Sequence, residues 1–186
     1  MLLWITDTPE QQYESDELII RSPSQIRAIS PNGPAFVVID IRVPTPEVMD
    51  WASKRHQATL WWKPTTEVPK AHCYVDIAEC CATEFIPLIS DIYHRNGVIN
   101  VSLTELESMV KSYDTAQVFH APSDTGPLLH HQCWSFGYLI HRDCSASIDD
   151  FQRVTELGRS RFNIEEMINL IIPDDGLNLL LTFSKA

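Results

Sequence analysis

Residues 35–41, Ala35-Phe36-Val37-Val38-Ile39-Asp40-Ile41, form an unbroken β-branched and aromatic run. A strand with one wet face alternates apolar and polar residues, and this one does not. The run therefore predicts a strand buried on both faces, as in a parallel sheet covered by helices. The next twenty residues support that reading. Thr45-Pro46 is an N-cap followed by proline at the first helical position, where the missing N–H is not needed. Val48, Trp51, Ala52 and Arg55 then fall on one helical face, and Ala58 to Trp62 reads as a second strand. Strand, helix, strand at this spacing is a βαβ unit with a parallel pair.

At 186 residues the chain fits one ordinary domain or two small ones, and it can bury roughly 70% of the surface exposed when unfolded. The N-terminus, Met1-Leu2-Leu3-Trp4-Ile5-Thr6-Asp7, lacks the basic leader of a signal peptide. Apolar runs such as that through Leu179, Leu180 and Leu181 are too short to span a bilayer. A net charge of −11 repels phosphate backbones, and no basic stripe with interleaved aromatics offsets it, so neither nucleic acid nor membrane is expected as a partner. Five cysteines, odd in number and without a CxxC pair, suggest reduced thiols in a cytoplasm.

Elsewhere, Leu2 to Ile5 and Leu18 to Arg21 read as short strands, and Ser30 to Pro34 as a loop. Asp76 to Arg95 reads as helical, kinked or split at Pro87 and ended by Asn96-Gly97. Ser102-Leu103-Thr104-Glu105 is a capping box for a helix with Leu103, Leu106 and Val110 as its stripe. Thr115 to His120 and Trp134 to His141 read as strands around a loop at 123–131. Ser147 starts a helix with Ile148, Phe151, Val154 and Leu157 as its stripe. Met167 to Ile172 and Leu177 to Phe183 read as a hairpin around Pro173 to Gly176. That order predicts an α+β layer with helices on one face of a small sheet.

The segment Gly97-Val98-Ile99-Asn100-Val101-Ser102-Leu103-Thr104-Glu105-Leu106 resembles the synergy loop of FtsZ, the bacterial division tubulin, whose pattern there is G-[LQ]-[IL]-N-x-D-x-x-D. The βαβ unit at 35–64 and the order of elements after 134 are similar to the same family, so that about 150 residues can be laid on it. The resemblance implies an α/β fold: a shortened Rossmann-like parallel-sheet part over 1–75, a connecting helix over 76–98, and a small α+β domain like the FtsZ/tubulin second domain over 99–186. It implies filament contacts through the loop, with Asn100, Ser102 and Glu105 facing a partner. Two departures stand out. In the family a GGGTGTG loop links the strand to the helix and holds the phosphates of GTP through its backbone N–H groups. Here the link is Arg42-Val43-Pro44-Thr45-Pro46, without glycine and with two residues that lack an N–H. The first acid of the synergy loop is replaced by Ser102, which is not ionised at neutral pH.

The expectation is a non-catalytic protein without cofactor, GTPase activity absent, that binds a protein partner. That partner is an FtsZ subunit or a second copy of the chain. The alternative is a metal-binding protein or hydrolase using a His/Cys set: His131, Cys133, His141 and Cys144, with His72-Cys73 and Cys80-Cys81 nearby in sequence. None has a zinc-finger spacing, and no nucleophile elbow places a hydrolase triad. Asp149-Asp150 and Asp174-Asp175 suit a helix first turn and a loop turn better than paired-acid catalysis. Trp61-Trp62 is adjacent in a strand, where at least one ring faces a core.

Overall fold

A computed structural model describes residues 2–9, 18–94, 103–120, 134–142, 147–162, 164–171 and 177–185. Its strands are β1 (Leu2–Thr6), β2 (Leu18–Arg21), β3 (Phe36–Asp40), β4 (Ala58–Trp62), β5 (Cys73–Ala78), β6 (Thr115–His120), β7 (Trp134–His141), β8 (Ile164–Ile171) and β9 (Leu179–Ser184). Its helices are a 3-10 turn (Pro23–Ala28), α1 (Pro46–Ser53), α2 (Ala82–His94), α3 (Leu103–Ser112) and α4 (Ile148–Phe162). All nine strands lie in one sheet, ordered β2-β1-β3-β4-β5-β6-β9-β7-β8. From β2 to β6 every neighbouring pair is parallel. The fold is mixed α/β with a mostly parallel sheet, as the apolar run at 35–41 requires.

Both faces of β3 are covered. Phe36 and Val38 join one core with α2 and α3, through Phe85, Ile86, Leu88, Leu106 and Val110. Val37 and Ile39 join the other with the 3-10 turn and α1, through Ile26, Val48, Trp51 and Ala52. Trp61 and Trp62 divide the same way, each buried on its own face. The start of α1 is as its sequence predicts: the Thr45 hydroxyl accepts from the Val48 N–H, with Pro46 at the first helical position.

Five expectations need correction. Residues 76–78 are strand rather than helix. They complete β5, where Asp76 is the extra residue of a bulge between Val75 and Ile77. The bulge breaks the alternation that marks a strand and leaves Ile77 exposed. Of the two outcomes expected at Pro87, a kink or a split, the split is not found: α2 runs as one helix from Ala82 to His94 with Pro87 inside it. The last two strands do not form a hairpin. β9 sits antiparallel between β6 and β7, and β8 lies beyond, parallel to β7. Each face of β9 is apolar and each edge is paired, so it belongs inside the sheet, while the α4 crossover carries β8 to the outer edge. The turn at 173–176 itself lies outside the described residues. Finally, the helices of this half are not on one face of a separate small sheet. Leu106 and Val110 of α3 pack on the face of Tyr138 and Phe183, whereas Val154 of α4 packs on that of Leu139 and Leu180. Ile148, expected in the α4 stripe, is 74% exposed.

Arg55, expected on the helical face of Val48 and Trp51, lies just past the Lys54 C-cap of α1, yet it is part of the core. It is 2% exposed, and its cation is held by oxygen dipoles rather than a carboxylate. Its Nε donates to Thr59 Oγ1 at 2.8 Å, its Nη2 to the Pro34 and Ala58 carbonyls at 3.2 Å each, and its Nη1 to the Pro31 carbonyl. The guanidinium also stacks over Trp51 at 5.3 Å. Burial lowers its pKa to about 10, still charged at neutral pH. Arg55 therefore pins the loop at 31–34 to the start of β4. Arg55→Met keeps the bulk but leaves buried carbonyls without donors, and it should cost on the order of 3 kcal/mol in urea denaturation. A loss below about 0.5 kcal/mol would refute the pinning role.

Candidate functional site

In an open parallel sheet, ligands gather at the carboxyl ends of the strands, where successive connections leave in opposite directions. Here β2 lies on one side of β1 and β3 on the other, so that point falls between β1 and β3. Thr6 ends β1 and Asp40 ends β3, and the two are paired in register. The Thr6 hydroxyl donates to Asp40 Oδ2 at 3.4 Å and lies 3.4 Å from Thr8 Oγ1. Burial raises the Asp40 pKa. The Trp4 indole N–H and the Thr6 hydroxyl act against that rise, and Asp7 adds to it. Trp4 Nε1 is close enough to act on the charge, but it meets no acceptor in hydrogen-bonding geometry.

The link from β3 to α1 leaves from this point. Pro44 and Pro46 carry no N–H, the Val48 N–H is taken by Thr45 Oγ1 at 3.4 Å, and the Met49 N–H by the Thr45 carbonyl at 3.0 Å. The Thr65 hydroxyl donates to the Arg42 carbonyl at 2.6 Å and fastens the link to the segment after β4. A phosphate cradle needs several convergent free N–H groups, and here two positions are proline and two of the following N–H groups are bonded to Thr45. Beside it Lys63, just past β4, has φ 44°, in the left-handed region that few non-glycine residues enter. Its N–H is held by the Val75 carbonyl at 3.0 Å.

The residues expected to carry function are mostly not brought together. Asn100, Ser102, His131, Cys133 and Cys144 lie outside the described residues. Glu105 is exposed in the first turn of α3. Burial raises the Tyr138 pKa, and the Glu105 charge adds to the rise. His141 ends β7 and is 1% exposed. Its Nε2 lies 3.0 Å from Asn169 Oδ1, which also accepts from the Thr155 hydroxyl at 2.9 Å, so a described contact ties His141 into the packing of α4 on β8. Cys73 and Cys80 are buried, and burial pushes both thiols up to about 12. Neither is a thiolate nucleophile at neutral pH. Among the described residues no three His, Cys, Asp or Glu side chains are grouped to hold a metal, and no helix is long and apolar enough to cross a membrane.

One pair carries no signal in the sequence. His72 is 4% exposed, and its Nδ1 accepts the Trp61 indole N–H at 3.0 Å. Burial, and then the Arg55 charge, lower its pKa to about 4. No periodicity links residues 61 and 72; the connection that brings them together becomes visible only once β5 is recognised.

No family model matches the sequence, and no curated protein matches it. Among solved structures, the chain is similar to an FtsZ mutant from M. jannaschii, at 14% identity and a TM-score of 0.47. The match covers 92% of this chain and 66% of that one, and no function is carried across from it.

His72 makes the fold sensitive to acid. Its folded pKa of about 4 lies below the unfolded value near 6.5, so the unfolded chain binds the extra proton first. The stabilisation from a neutral His72 is complete above about pH 6.5 and is lost as pH falls towards 4, on the order of 3 kcal/mol in all. Urea midpoints of wild type and His72→Phe across that range should converge as pH falls. Parallel curves would show that His72 is not held neutral.

Proposed function

We propose that the chain is a non-catalytic, FtsZ/tubulin-like protein that acts by binding a protein partner, an FtsZ subunit or a second copy of itself. The contact is the face carrying Asn100, Ser102 and Glu105. The observation that carries this reading is the turn at the β1/β3 switch point. It sits where a parallel nucleotide-binding sheet presents its phosphate loop, yet it has proline at 44 and 46, and the Val48 and Met49 N–H groups are bonded to Thr45. A chain that resembles FtsZ at 97–106 and lacks this cradle keeps a contact surface without the reaction. It would join one end of a filament and stop extension. The divisions at 75 and 98, the cytoplasmic setting and the absence of nucleic-acid and membrane partners belong to the same proposal. The acidic balance, −11 overall, supports the last of these. The metal or hydrolase alternative draws no support from the inert thiols Cys73 and Cys80.

Co-sedimentation with the host's FtsZ and GTP tests the reading. Equimolar chain should lower polymer mass and GTP turnover, and the chain alone should bind no GTP in equilibrium dialysis. Glu105→Lys, on an exposed position, should weaken the effect about tenfold. Unchanged polymer and turnover, together with a monomer in sedimentation equilibrium, would exclude both named partners.

A further inference from the structure

We draw no further inference here: the strongest candidate, the cleft of about 700 Å³ under the β4–β5 connection, lined by Val68, His72 and Tyr74, has its Glu67 and Lys70 out in solvent, so nothing in the structure shows what class of ligand would fill it.

Discussion

A strand that is apolar on both sides must be covered on both sides, and the rest of this structure depends on how unevenly that is done. On one face α2 and α3 lay Phe85, Ile86, Leu106 and Val110 over the strands. On the other, the 3-10 turn and α1 cover β1, β3 and β4 with Ile26, Val48 and Trp51. α4 covers β7 and β9 through Val154. Among the described residues, that face has between α1 and α4 only the connection at 63–72. Trp61 and His72 are what this gap makes necessary. An indole facing a gap needs an acceptor for its N–H, and a histidine at the end of the loop provides it at 3.0 Å.

Arg55 belongs to the same problem. A cation in a core is costly unless every donor is used. Here the guanidinium reaches Thr59, the Pro31 and Pro34 carbonyls of the loop, and the Ala58 carbonyl at the start of β4. Its positive field then acts on His72, helping to keep that ring neutral. One buried charge thus closes the loop at 31–34 and adds to the burial that keeps the neighbouring His72 ring neutral.

The legible parts of the fold are those whose signals are local. The run at 35–41, the Thr45 cap and the βαβ unit depend on residues adjacent in sequence, and each appears where expected. Ser147 likewise caps α4, accepting the Asp150 N–H at 3.2 Å while Asp150 returns a bond to the Ser147 N–H. The differences between sequence and structure turn mostly on pairing at a distance. β5 is hidden because the bulge at Asp76 interrupts its alternation. β9 reads as half of a hairpin because Pro173 to Gly176 is a good turn, and a good turn does not say which strand lies beside it. Its place between β6 and β7 is set by contacts more than forty residues away in sequence, such as Phe119 with Leu180 and Tyr138 with Leu181.

The candidate sites divide in the same way. That the Arg42–Pro46 link lacks two N–H groups is legible directly, because proline removes an N–H whatever surrounds it. Its position is not, since only the sheet order places the Arg42–Pro46 link at the point where β1 and β3 diverge. Thr6 and Asp40 carry no motif, yet the register brings them face to face at that point. There burial makes Asp40 a weaker acid than its type suggests. His72 reads in sequence as a soft ligand beside Cys73. Along the strand that begins there, neighbours alternate between faces, which sends Cys73 into one core and the His72 ring to Trp61 in the other. Neighbouring residues that look like one ligand set in sequence are therefore separated by the sheet itself, and the chemistry open to His72 is that of a neutral, fixed donor rather than a metal ligand.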